Sequence, residues 1–293
     1  MALKQLLLPS PLVKMDNVLA RAQWPDGGQY DLDLVMHIAS KIRIDDEDFQ
    51  TYSFPVSELG YGDKLDGRTY KRVKDALERL SSGSIKIQGE RDNYYFYSLF
   101  SMAGYEDGKI LVRFDPHLKP FFLHLSRNFT SFELFELRML PSEYSKRLFL
   151  LLKSYSSLDD TVIDLDELHS KLHTPDSQKN DFAQFRLRVL NKAQKDLHDS
   201  LLFEWEPIKK GKSVTRIRFI FNKKNVYAKR KEQEEKLKEK ETQKQRQAIG
   251  KALECSRAQT SLDCKRNQGR AACKLCDRLG LLAEAIQKQK KSV

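Results

Sequence analysis

The chain has 293 residues, 40% of them hydrophobic, with 16 Phe and 11 Tyr, enough apolar material for two domains of roughly 100 to 150 residues each. No stretch approaches the roughly 18 consecutive apolar residues of a membrane span, and the opening MALKQLLLPSPLVK lacks the apolar core and cleavage site of an export signal, so a cytoplasmic protein without a membrane partner is expected. The net charge of +11 lies in the tail: residues 223–293 hold 20 Lys and Arg against 9 Asp and Glu, leaving residues 1–222 with 32 of each sign.

Within that neutral body the charge is polarised. Residues 26–66 hold 10 acids and 3 bases, residues 68–91 hold 7 bases and 3 acids, and residues 182–218 hold 9 bases and 4 acids. Local basic stripes on a neutral body describe a surface aimed at polyanions, not a uniformly cationic chain.

In chain order, residues 31–42 (DLDLVMHIASKI) carry Leu34, Val35, Ile38 and Ile42 near a period of 3.6, with acids at the start, and are predicted to be a helix. TYSFPVSELG gives a short extended piece and a Ser57 start signal for a short helix. GRTYKRVKDALERL puts Tyr70, Val73, Leu77 and Leu80 on one helical face and Arg68, Lys71, Arg72, Lys74, Asp75 and Arg79 elsewhere. SIKIQGERDNYYFYSLF then reads as two strands around a polar turn at residues 89–93. The stretch KILVRFDPHLKPFFLHLSRNFTSFELFELRML, poor in Gly, Ser and Pro, is read as a join that docks two halves on one another and not as a floppy tether.

The second half repeats the order. SEYSKRLFLLLKSY (142–155) is an apolar helix entered just after Pro141, and DLDELHSKLH (164–173) is a short helix with Leu165, Leu168 and Leu172 inward. Asp181 is placed to cap a third helix, in which Phe182, Phe185, Val189, Ala193 and Leu197 form the buried face and Gln184, Arg188, Asn191 and Lys195 the opposite one. LLFEWEPI, a turn at residues 209–212 and SVTRIRFIF make the hairpin. Trp24 and Trp205 read as packing anchors. Helix, short helix, basic helix and hairpin, twice at an offset of about 110 to 116 residues, predict an α+β chain of tandem winged helix-turn-helix domains. The expected divisions are 1–128, 129–222 and a charged, partly helical or disordered tail over 223–293.

In such a domain the third helix enters the major groove of double-stranded DNA, where Arg, Gln and Asn read base edges. Gln184, Arg186, Arg188, Asn191, Lys192 and Lys195 supply that chemistry in the second half, and Arg68, Lys71, Arg72 and Lys74 in the first. Lys209, Lys210, Lys212, Arg216 and Arg218 of the hairpin would neutralise phosphates. One basic amphipathic helix is more often a solvated face; two copies of helix plus hairpin favour DNA.

The runs FTSFELFELRMLPSEYSKRLFLLLKSY, DLDELHSKL, FAQFRLRVLNKAQKDL and KKGKSVTRIRFIF resemble the iteron-binding plasmid replication initiators, the family of the F-plasmid initiator. PVSEL, RTYKRVKDALERL and residues 114–125 extend the resemblance, more loosely, to roughly residues 15–222. It implies two winged-helix domains gripping one direct repeat (iteron) of a plasmid origin, with Arg186 and Arg188 in the second recognition helix, first-domain contacts from Arg68 to Lys74, and dimerisation through the first domain. It also implies a monomer–homodimer equilibrium: monomers open the origin and recruit the host replication initiator and replicative helicase, and dimers repress the initiator's own promoter. A transcriptional repressor of the same fold is the alternative.

Enzymatic readings find little support. No GxxxxGK[ST] phosphate loop occurs. An origin-nicking enzyme would need a paired-histidine metal motif beside a nucleophilic Tyr; His169 and His173 are four apart but lack acidic ligands and are expected to be a surface pair. No cofactor is required. Cys255, Cys264, Cys273 and Cys276, with eight, eight and two residues between them, could close a structural Zn site through the CKLC pair, although the upstream pair is widely spaced and free thiols remain the competing reading.

Overall fold

The computed structural model describes residues 10–43, 45–59, 67–91 and 93–221, together with Glu235, Glu239, Thr242, Gln243 and Gln247. The four cysteines lie outside the described residues, and of the tail, expected to be partly helical or disordered, only those five residues are described, each in helical conformation. Contacts divide the chain into Met1–Val226 and Tyr227–Val293; the following concerns the former.

β1 (Leu12–Asp16) buries Val13 and Met15 and turns their neighbours outward, the alternation of a half-buried strand. Asp16 then accepts a hydrogen bond from the Val18 N–H and starts the single turn α1 (Asn17–Ala20). α2 (Gln29–Ala39) is buried nearly all round: Leu34, Val35, Met36 and Ile38 are at most 1% exposed, and Asp31, Asp33 and His37 are buried with them. The acids expected to serve only the helix N-terminus are therefore enclosed by neighbouring elements.

β2 (Tyr52–Pro55) leads into a 3-10 turn at Val56–Leu59, where a short helix is predicted. α3 (Gly67–Ser82) buries Val73, Ala76, Leu77 and Leu80 as its periodicity requires. β3 (Ser84–Gln88) and β4 (Tyr94–Ser98) form the predicted hairpin, Gln88 facing Tyr94 at its closed end.

A second hairpin, β5 (Phe100–Glu106) and β6 (Lys109–Phe114), follows, with β6 between β2 and β5 in a three-stranded sheet. Residues 109–114, read as part of the join, are thus a central strand, with Ile110, Val112 and Phe114 fully buried. α4 (Lys119–Phe122) packs Phe122 against Phe114, ring centroids 4.9 Å apart. The join proper begins with β7 (Phe129–Glu133), which pairs antiparallel with β1, Leu12 opposite Glu133 and Asp16 opposite Phe129.

After α5 (Leu134–Arg138), α6 (Glu143–Lys153) opens on a Ser142 cap whose hydroxyl accepts from the Ser145 N–H. The second half adds β8 (Asp160–Asp164), α7 (Leu165–Leu172) and the single turn α8 (Asp176–Lys179). It continues through α9 (Phe182–Phe185), a π-helical stretch Arg186–Leu190 and α10 (Asn191–Asp196), which run on without a break. β9 (Glu204–Lys210) and β10 (Ser213–Ile220) close it in a sheet of order β8-β10-β9.

The two halves meet across α6. Three consecutive polar residues are buried there: Ser145 donates to Asp196 at 2.6 Å, Lys146 contacts both Asp33 oxygens at 2.6 Å, and Arg147 donates to the Pro25 carbonyl at 2.9 Å and to Glu143 at 2.7 Å. Arg21 reaches across from α1's end to Ser154, its Nε 2.9 Å from the hydroxyl, and lies 3.8 Å from the Tyr155 ring centre. The two halves are docked on one another, as expected, and the joint includes polar contacts whose buried donors each find a carboxylate, hydroxyl or carbonyl acceptor.

Candidate nucleic-acid interface

On α3 the apolar side locked into the core leaves Arg68, Lys71, Arg72 and Lys74 exposed. Two of these rest on aromatic rings: the Arg72 guanidinium lies 5.5 Å from the Tyr30 ring centre and 3.2 Å from its hydroxyl, and the Lys74 ammonium lies 4.8 Å from the Tyr105 ring centre. Such contacts steady long side chains at little loss of charge. Arg79 differs from its neighbours. It donates to the buried Asp31 at 3.0 and 2.7 Å, and that hydrogen bond raises its pKa, so its charge, though partly exposed, is already paired.

The second helix is fixed at its start by Asp181, whose carboxylate accepts from the Ala183 and Gln184 N–H groups at 2.9 and 3.2 Å. Phe185, Val189, Ala193 and Leu197 are fully buried, as spacing predicts, and Leu190 joins them at 1% exposed. The extra buried position comes from the π-helical turn, in which the Asn191 N–H bonds the Arg186 carbonyl instead of that of Leu187. Outward stand Arg186, Leu187, Arg188, Asn191, Lys192 and Lys195, with Gln184 half-buried.

Arg188, Asn191, Lys192 and Lys195 line one shallow concavity of about 630 Å³ together with Leu187, Tyr144 and Gln178. Arg186 and Gln184 are outside that lining. Tyr144, whose pKa burial raises further above the neutral range, contributes a phenol to the lining. The one acid at the end of the helix, Asp196, is turned inward to Ser145. Among the described residues the lining of the concavity offers a guanidinium, amides and ammonium groups and holds no carboxylate, a set with the chemistry to meet phosphates and base edges.

In the hairpin, Lys209, Lys210, Lys212 and Arg216 are all exposed around Gly211, whose φ of +64° is the conformation the tight turn demands. A register shift between Val214 and Arg216 twists the outer part of the ribbon. Arg218, expected among the phosphate contacts, is instead paired with Asp160 across the sheet and with Glu206 at 3.3 Å, and the hydrogen bond to Asp160 raises its pKa.

The predicted surface pair of histidines is not one. His169 is buried with its ring 4.4 Å from Phe185 and its Nδ1 2.7 Å from the Thr174 hydroxyl; burial lowers its pKa. His173 ends α7 in a left-handed conformation, its Nε2 2.7 Å from the Trp24 carbonyl. His169 faces inward because α9 packs against it through Phe185, whereas His173 stands past the end of the helix and is half-buried against the Trp24 carbonyl. Sequence reasoning missed Leu187, Tyr144 and Gln178. Leu187 could have been found: three residues after Gln184 and four before Asn191, it belongs to their face, and only its apolar side chain disguised it.

Residues 12–153 match the family described as Initiator Replication protein, WH1, and residues 164–221 the one described as Initiator Rep protein, WH2. No curated protein matches. Among solved structures the chain is similar to the Pi initiator protein, which was crystallised in complex with iteron DNA. The TM-score is 0.58 at 19% identity, over 73% of this chain and 97% of that one; a likeness at that identity is one of fold. Two matched stretches covering most of the chain, each enclosing one helix-and-hairpin unit described above, show that it belongs to the initiator replication protein family and consists, in residues 12–221, of tandem winged-helix domains.

Proposed function

We propose that the chain is a plasmid replication initiator that binds the iterons of its origin as double-stranded DNA, without enzymatic activity of its own and without a required cofactor. The observation that carries this reading is the outward face of α9–α10: Arg188, Asn191, Lys192 and Lys195 side by side, on a helix whose other face is fixed in the core. A major groove of about 12 Å admits such a helix. Arg188 would grip guanine and Asn191 adenine, with Gln184 and Arg186 at the flank. Lys192, Lys195 and the wing residues Lys209, Lys210, Lys212 and Arg216 would neutralise phosphates. Arg68, Lys71, Arg72 and Lys74 make the corresponding contacts from the first domain.

The capture of the similar Pi protein on iteron DNA supports the choice of DNA. The structural employment of His169 and His173 speaks for a binder over a nicking enzyme. On this reading the protein works in the cytoplasm and exchanges between monomer and homodimer. Monomers help open the origin and recruit the host initiator and helicase; dimers repress its promoter.

Fluorescence anisotropy with one origin repeat and a scrambled duplex, at about 0.15 M salt, tests it. A preference of about 10³-fold or more for the repeat is expected, and equal affinities would overturn the reading. Supplying the protein in trans to an origin-only plasmid then separates an initiator, which sustains replication, from a repressor of the same fold, which does not.

A further inference from the structure

Leu187 is 62% exposed. A lone exposed leucine is ordinary on a protein surface. This one stands where every other outward residue from 186 to 195 is a cation or an amide, and it shares a concavity with Arg188, Asn191, Lys192 and Lys195. None of the described residues covers the greater part of it, and hydration of its isobutyl group is unfavourable until something apolar does. If the helix lies in a major groove, what faces it is an edge of base pairs, and the apolar group on that edge is the 5-methyl of thymine.

Leu187, Asn191 and Lys195 follow one another at intervals of four, and all three are exposed on the outward side of the helix that runs through Arg186–Leu190 and Asn191–Asp196. A methyl reader beside an amide suited to adenine fits a step rich in A·T pairs.

We infer that Leu187 is a specificity-determining residue that reads a thymine 5-methyl group in the iteron, next to the base pair contacted by Asn191. The inference rests on α9–α10 being the groove-facing helix.

The experiment uses the full chain, wild type and Leu187→Ala, with the origin repeat as a duplex in which each thymine in turn is replaced by deoxyuridine. That exchange removes one methyl group and leaves every hydrogen bond of the base pair. At one thymine, wild-type affinity should fall about fourfold, the factor of one buried methyl group. Leu187→Ala should bind the thymine duplex more weakly by at least that factor and show no further loss with deoxyuridine at that position, while its affinity for a scrambled duplex stays at the wild-type value. Such coupling in a double-mutant cycle identifies the contact. Identical deoxyuridine profiles for the two proteins would overturn the assignment of Leu187 and leave the DNA reading intact. Wild-type protein that does not distinguish the repeat from a scrambled duplex would overturn both. Leu187→Gln provides a second arm: it should move the preferred base at the coupled position toward adenine, and an unchanged preference counts against the contact.

Discussion

His37 shows how much one enclosed side chain decides. It is 6% exposed in α2, its ring edge-on to Phe54 at 4.7 Å. Burial, reinforced by the nearby Arg138 and Lys41, lowers its pKa to about 4, and Glu58 at 3.5 Å opposes this only in part. The unfolded chain would take up the proton near pH 6.5. Between those two values the unfolded state holds more protons than the folded one, so stability must fall as pH drops from about 6.5 and level off below about 4, by about 3 kcal/mol in all. His37→Phe keeps an aromatic ring against Phe54 and has nothing to protonate. Urea denaturation from pH 7.5 to 4.5 should therefore show the variant gaining on the wild type as pH falls. A stability difference that is flat across that range would contradict the assignment. His169, whose pKa burial also lowers, contributes the same trend to both proteins and cancels in the comparison.

At the level of elements, the helix formed by α9, the π-helical stretch and α10 was the most legible part of the sequence. Asp181 caps it as its position implied, and Phe185, Val189, Ala193 and Leu197 are the buried face that a 3.6-residue period selects. Removing the cap in Asp181→Ala leaves two N–H groups at the helix start without their acceptor and should cost about 1 kcal/mol in denaturant unfolding. A loss indistinguishable from zero would mean that water replaces the carboxylate without penalty. The π-helical turn was not legible. It has no composition of its own, and no periodicity announces the bond from the Asn191 N–H to the Arg186 carbonyl that defines it. The strands β8 and β6 were missed for a related reason. DTVID carries an acid at each end and little apolar pattern, and becomes a strand by pairing with β10, Ile163 opposite Ile217. KILVRF alternates clearly, but it was read with the aromatic run that follows it, although β5 pairs with it across the two-residue turn at Asp107 and Gly108; only its other partner, β2, is distant in sequence. Local periodicity reveals a helix because its hydrogen bonds are local; a strand waits on its neighbour. The same limit applies to the site. Residue type and helical spacing were enough to place Arg188, Asn191, Lys192 and Lys195 together on an exposed face, whereas the pairing of Arg79 and Arg218 with Asp31 and Asp160 depended on distant carboxylates that no spacing rule brings to them.

For the molecule as a whole, the element that matters most is α6, since it touches α2 on one side and α7 and α10 on the other and so relates the two halves. Its Ser-Lys-Arg centre would ordinarily be read as the wet side of an amphipathic helix, yet all three residues are at most 5% exposed. The Lys146–Asp33 pair is the most enclosed of these contacts, with side chains 4% and 7% exposed. Burial is the largest influence on Asp33 and raises its pKa, while Lys146, by charge and hydrogen bond, holds it down. A buried pair of this kind adds little net stability over a well-packed apolar pair, but losing one partner is expensive. Lys146→Met should therefore destabilise the protein at neutral pH by about 3 kcal/mol or more, because the Asp33 carboxylate must either stay charged in the interior or take up a proton. The sign of the pH dependence follows. In the variant the folded-state pKa of Asp33 rises still further above the unfolded value, so the penalty is present at neutral pH and shrinks as acid protonates the carboxyl in both states. The double variant Asp33→Leu with Lys146→Met removes both charges and should regain most of the lost stability, to within about 1 kcal/mol of wild type. Chemical denaturation of the three proteins at pH 7 and pH 5 decides the matter. If the double variant is as unstable as Lys146→Met alone, the pair supplies stability that apolar packing cannot replace. If it recovers, the charges serve to fix which residues of α2 and α6 face one another, and through them how the second recognition helix is carried relative to the first domain.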